Sequence, residues 1–265
     1  MKGSGRVIEG SRTEGREGAP HIIKGRFETV SPRDCARKMT KLKTTMFALA
    51  VACVTVSAGA QTPAGSVENG SKKTAMCVGC HGIVGYQSSF PEVHKVPKIA
   101  GQSATYISSA LGAYKAGDRK HPTMRAIADS LTDQDIADLS AYYAQLGLKP
   151  EDAPPAAAAK APSERVQALI SRDKENACTK CHGVNFNTPN DGTVPKLAGQ
   201  YSDYLFVALK SYKVENHAKL GRANGIMGGQ AKKYSNAELK ELATYIASLP
   251  GETKTVPESP FHSSK

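Results

Sequence analysis

Apolar residues recur along this chain at helical spacing. Val166, Leu169 and Ile170 fall on one face of Ser163 to Lys174, which predicts an amphipathic helix. Thr105 to Lys115 and Tyr204 to Lys213 read the same way. Two further apolar stretches, Leu139 to Leu146 and Leu242 to Leu249, are closed by Gly147 and by Pro250-Gly251. The helices that contain them are predicted to start near Thr132 and Ser235. Asp135 and Glu238 stand three positions later, the arrangement of a capping box. No segment shows convincing period-two alternation, so the fold class is all-α.

The pattern occurs twice. Pro97-Lys98-Ile99-Ala100-Gly101-Gln102 is matched by Pro195-Lys196-Leu197-Ala198-Gly199-Gln200, and Tyr106, Leu111 and Tyr114 by Tyr204, Leu209 and Tyr212. Leu139 and Tyr142 recur as Leu242 and Tyr245, so the second copy carries a five-residue insertion within Val214 to Ile226. Two homologous domains are expected, at residues 61–150 and 163–265. The Pro/Ala-rich stretch 151–162 reads as a fairly stiff linker.

Residues 1–38 show no apolar periodicity and no plausible core, and are expected to be an over-extended gene start ahead of Met39. Residues 39–60 read as a secretory signal peptide. Lys41 and Lys43 are basic, Met46 to Val56 is apolar but too short to span a bilayer, and Ala58-Gly59-Ala60 offers the cleavage site. A periplasmic location with a mature start at Gln61 follows; a membrane anchor or a lipid on Cys53 are the weaker alternatives. The formal charge of +11 at first suggests nucleic acid or an anionic membrane. Residues 1–60, however, hold 11 Lys/Arg against 5 Asp/Glu, and the rest hold 24 against 19. The basicity belongs largely to the leader, and no nucleic-acid partner is expected.

With no Trp and only 6 Phe, the cores must be modest unless a large apolar group completes them. Cys77-Val78-Gly79-Cys80-His81 and Cys178-Thr179-Lys180-Cys181-His182 supply a reason. Cys-x-x-Cys-His is the attachment motif of a c-type haem: each thiol adds to one vinyl group, and the following imidazole faces the iron. Zinc sites usually place their cysteine pairs about 15–20 residues apart, unlike these, and leave both histidines unexplained. A thioredoxin-like redox pair would sit at a strand-to-helix junction, and disulfides again ignore the histidines. Loss of Cys35 and Cys53 with the leader would leave four cysteines, all in these motifs. Two covalently bound haem c groups are therefore expected.

What fills the sixth position of each iron separates electron transfer from catalysis. Met124 lies in the loop before the last helix of the first domain, and Met227 at the equivalent place in the second. A thioether is a soft ligand that raises the potential relative to bis-histidine. Met76 adjoins Cys77 and cannot cross the ring. His94, His121 and His217 sit in polar surroundings and read as solvated, His217 being the rival to Met227. The Pro97 and Pro195 carbonyls could each orient a proximal histidine, or simply occupy turns; the sequence does not choose.

Taken together, the two Cys-x-x-Cys-His motifs, the repeated Pro-Lys-(Ile/Leu)-Ala-Gly-Gln, the late methionines and the Tyr-containing last helices resemble class I cytochrome c. The tandem arrangement is similar to that of the dihaem cytochrome c4 group. The resemblance implies His81, Met124, His182 and Met227 as axial ligands, and support of the histidines by the Pro97 and Pro195 carbonyls. It also implies redox partners such as respiratory complexes or terminal oxidases, and peripheral membrane contact is left open. No catalytic residue is expected. The alternatives are the electron-accepting subunit of a dehydrogenase, a dihaem peroxidase, and a zinc-binding interaction module.

Overall fold

A computed structural model of the protein describes residues 63–148 and 161–257. The signal peptide with its Ala58-Gly59-Ala60 site, the segment before it and all but the end of the linker lie outside these residues.

The first domain consists of α1 (Val67–Ser71), α2 (Ala75–His81), β1 (Gln87–Ser88), β2 (His94–Lys95), α3 (Ala104–Ala116), α4 (Pro122–Asp129) and α5 (Asp133–Gln145). The second consists of α6 (Glu164–Ile170), α7 (Cys178–His182), α8 (Ser202–Lys213), α9 (Gly225–Ala231) and α10 (Asn236–Ser248). The all-α expectation holds apart from β1 and β2, a two-residue antiparallel pair joining Gln87 to Lys95 and Ser88 to His94. Such a pair is too short to show period two.

Both expected capping boxes form. Thr132 accepts from the Asp135 N–H while Asp135 accepts from the Thr132 N–H, and Ser235 and Glu238 do the same. These caps start α5 and α10 at the expected places. The helix expected over Ser163 to Lys174 is shorter, ending at Ile170, but Val166, Leu169 and Ile170 are all buried.

The cores use equivalent positions. Ile107, Leu131, Ile136, Leu139 and Tyr143 cluster in the first domain. Leu205, Tyr234, Leu239, Leu242 and Ile246 stand in their places in the second, where Val166, Leu169 and Phe186 enlarge the cluster. Each fully buried side chain of this kind contributes about 1.5–3 kcal/mol by leaving water. Lys115 ties the turn before α5 by donating to the Leu131 carbonyl at 2.7 Å, and Lys213 does the same at Tyr234 at 2.6 Å.

The insertion can now be located. Gly117 ends α3 in the left-handed region, at φ 79°, and Glu215 holds the same place after α8 at φ 30°. Arg119 and Arg222 then pair in an antiparallel bridge, so the extra residues are 216–220.

The domains meet through their repeated hexapeptides. Gln200 Oε1 accepts from the Lys98 N–H at 3.0 Å, and its Nε2 donates to the Lys98 carbonyl at 2.9 Å. Gln102 grips Lys196 in the same way, at 3.0 Å for both bonds. The glycine before each glutamine has positive φ, 79° at Gly101 and 71° at Gly199, which turns the glutamine into the junction. Lys98 Nζ then caps the Gly199 carbonyl at 2.6 Å, and Lys196 Nζ the Gly101 carbonyl at 2.9 Å. Lys95 with Asp203 and Lys210 with Glu92 add ion pairs at the edge.

Candidate functional site

The Cys-x-x-Cys-His motifs are themselves helical, forming most of α2 and all of α7. One turn of helix places the two cysteines and the histidine together. Cys77, Cys80 and Cys178 are half-buried and Cys181 is exposed. His81 Nδ1 lies 2.8 Å from the Pro97 carbonyl oxygen, and His182 Nδ1 lies 3.0 Å from that of Pro195. A carbonyl only accepts, so Nδ1 carries the proton in both rings and Nε2 is left with a lone pair. Burial lowers both imidazoles below their usual pKa, and the hydrogen bond to the proline carbonyl opposes that shift. The prolines are therefore histidine partners, the question that the sequence left open.

In the first domain these groups face a cavity of about 370 Å³. Cys77, Cys80 and His81 lie on its wall with Met124, and Ile107, Leu111, Ile127 and Leu131 make it apolar. That volume is in the range of cofactor sites, about 300–1,000 Å³. The cavity also reaches Gln200, Tyr204 and Arg222 of the second domain.

Met124 does not sit in a plain loop. It lies in the first turn of α4, whose N-cap is His121, with the Met124 N–H 3.3 Å from His121 Nδ1. Met227 has the same setting in α9, its N–H donating to Asn224 Oδ1 at 2.9 Å. The sequence missed both short helices because their turns are too brief to show an apolar period.

The three other histidines differ from one another, and two depart from the solvated reading. His94 is buried at 4% exposure, with Nδ1 2.8 Å from the Glu92 carbonyl. His121 packs edge-on to Phe90 and Tyr114. Burial, then the nearby His94 and Arg222, push its pKa down to about 4. His217 is exposed in the insertion, with Nδ1 accepting from the Lys219 N–H.

Arg119 and Arg222 sit among four tyrosines at the domain junction. Arg119 Nη2 lies 3.3 Å from Tyr106 Oη and 3.4 Å from Tyr212 Oη. Arg222 stacks over the rings of Tyr204 and Tyr212. Both guanidiniums line the cavity, and no Asp or Glu among the described residues forms an ion pair with either. An apolar cavity with paired thiols, a neutral imidazole and a thioether on its walls, and unneutralised cations at its edge, fits a haem. Its apolar walls would take the ring, and Arg119 and Arg222 would pair with its carboxylates. Among the described residues no three His, Cys, Asp or Glu side chains are grouped so as to hold a bare metal ion.

Comparison with known proteins leads the same way. The cytochrome c family model matches twice, over residues 67–147 and 165–250. Cytochrome c4 of Stutzerimonas stutzeri is 33% identical over 199 residues, which covers 70% of this chain and 90% of that one. The crystal structure of reduced cytochrome c4 from Pseudomonas stutzeri superposes with a TM-score of 0.53 at 33% identity, covering 70% of this chain and 100% of that one. A thiosulfate dehydrogenase electron acceptor of Thiomonas intermedia is 27% identical, covering 67% of this chain and 80% of its own. The chain belongs to the cytochrome c family, with the two-domain, dihaem organisation of cytochrome c4.

Proposed function

We propose that Cys77 and Cys80 hold one haem c and Cys178 and Cys181 the other, with His81 and Met124, and His182 and Met227, as axial ligands. Membership of the family makes the protein an electron carrier with two covalently bound haem c groups. Iron held in this way supplies a one-electron couple and needs no substrate. The chain's own groups do the rest. The proline carbonyls fix the histidine tautomer and ring plane, which raises the basicity of Nε2. Met124 and Met227 would hold the remaining position on each iron, and the apolar walls would keep water away from it.

The observation that carries this reading is the shared wall of the first cavity, where Cys77, Cys80, His81 and Met124 converge. Its counterpart in the second domain rests on the matched caps of Met124 and Met227 and the matched histidine bonds. The proposal extends to the limits 61–150 and 163–265 for the domains, to 39–60 as signal peptide and to a periplasmic location. The partners would be respiratory complexes or terminal oxidases. A second reading, the electron-accepting subunit of a dehydrogenase, is favoured by the thiosulfate dehydrogenase electron acceptor among the relatives.

Denatured protein exported to the periplasm should keep two haems per chain, because thioether bonds survive unfolding, and its mass should begin at Gln61. The variant with both Cys178→Ala and Cys181→Ala should keep one; retention of two would overturn the assignment. Co-purification with a larger dehydrogenase would favour the second reading. Rapid peroxide turnover would remove the protein from the carriers.

A further inference from the structure

The glutamines of the repeated hexapeptide do more than join the domains. The Pro97–Lys98 peptide group has its carbonyl 2.8 Å from His81 Nδ1, and its N–H donates to Gln200 Oε1 at 3.0 Å. The Pro195–Lys196 peptide group likewise stands between His182 Nδ1, at 3.0 Å, and Gln102 Oε1, at 3.0 Å. Each proximal histidine is thus one peptide group away from a glutamine of the opposite domain. Both glutamines are 4% exposed, and their oxygens are anchored by a second backbone donor, Ser103 N–H for Gln102 and Tyr201 N–H for Gln200.

We propose that Gln200 and Gln102 are positioning residues that tune the haem of the other domain through the proximal histidine. When a peptide N–H donates, its carbonyl oxygen becomes a stronger acceptor, because hydrogen bonds in a chain polarise one another. The glutamine therefore strengthens the histidine Nδ1–H bond to proline. A histidine with a stronger Nδ1 acceptor is a more basic ligand, and a more basic ligand favours ferric iron and lowers the potential. The domain junction would in this way set both potentials, each from the opposite side. The inference rests on His81 and His182 being the proximal ligands.

The test uses the full two-haem protein with Gln200→Leu and, separately, Gln102→Leu. Each haem's potential is followed through its own axial methionine methyl resonance during a redox titration, and each histidine Nδ1–H signal is recorded. Gln200→Leu should raise the potential of the first-domain haem and shift the His81 Nδ1–H signal. Gln102→Leu should raise the second-domain haem and shift His182. Both glutamines line the first-domain cavity, so a merely local loss of polarity would move the first-domain haem in both variants, Gln102→Leu included. That result, an equal shift of both haems in each variant, or no shift at all would overturn the proposal. Two bound haems and low-spin spectra in both variants would show that the ligand reading stands whichever way the tuning falls. Should either variant lose a domain, Gln200→Asn and Gln102→Asn give the same crossed comparison, because the shorter side chain no longer reaches across.

Discussion

Arg119 and Arg222 form an antiparallel bridge across the domain junction, where their guanidiniums lie against tyrosine rings and, among the described residues, neither forms an ion pair with an Asp or Glu. Arginine stays protonated at any relevant pH. In a water-poor cavity a nearby cation disfavours the more positive ferric state. Replacing either with leucine should lower the midpoint potentials seen in a spectroelectrochemical titration. The effect should be larger for Arg119→Leu and Arg222→Leu together.

Met227→Leu should open the second-domain iron to carbon monoxide and create a high-spin population in the oxidised spectrum. His217→Ala should leave that spectrum unchanged, because His217 is exposed in the insertion. A low-spin spectrum that survives Met227→Leu but is lost when His217 is also removed would reverse the two roles.

Asp138 links α1 to α5. Its buried carboxylate accepts from Lys73 Nζ at 2.7 Å, Ser66 N–H at 2.8 Å and Gln134 Nε2 at 2.8 Å. Lys73 first, then the Ser66 N–H and Gln134, hold its pKa below the ordinary carboxylate value. A depressed folded pKa contributes stability that is complete above the unfolded value and is lost as pH falls through the folded one. Urea unfolding of the holoprotein, followed from neutral into acid, should therefore show a steeper loss for the natural chain than for Asp138→Asn. The variant should be weaker at neutral pH.

Leu239, 1% exposed at the centre of the second core, should cost about 2–5 kcal/mol when replaced by alanine. Denaturant unfolding should show the loss in the second domain, with the visible spectrum of the first-domain haem unchanged until its own transition.

Local signals in the chain determined the order of the main helices and the starts of α5 and α10. Thr132 and Ser235 cap within three residues of themselves, and Val166, Leu169 and Ile170 report their buried face through spacing alone. The haem motifs are equally local, since one helical turn carries Cys77, Cys80 and His81. The repeat added the equivalence of Met124 and Met227. Short elements escaped because α4 and α9 are held by caps and by contact with α3 and α8, which a window of sequence does not contain.

Only the folded chain decided what lies between the domains. Pro97 and His81 are 16 residues apart, and Gln200 and Lys98 are 102 apart, so their bonds depend on the packing of distant segments. The hexapeptide announced itself twice in the sequence, but its reciprocal pairing did not. A repeat shows that two segments share a structure; contact between them requires the two domains to present those segments to each other. The same holds for Arg119 and Arg222, which carried no signal in the sequence and which only the junction brings together. Sequence periodicity reports the face that a helix buries against its own domain, whereas the partner across a junction is chosen by shape and hydrogen bonding in three dimensions.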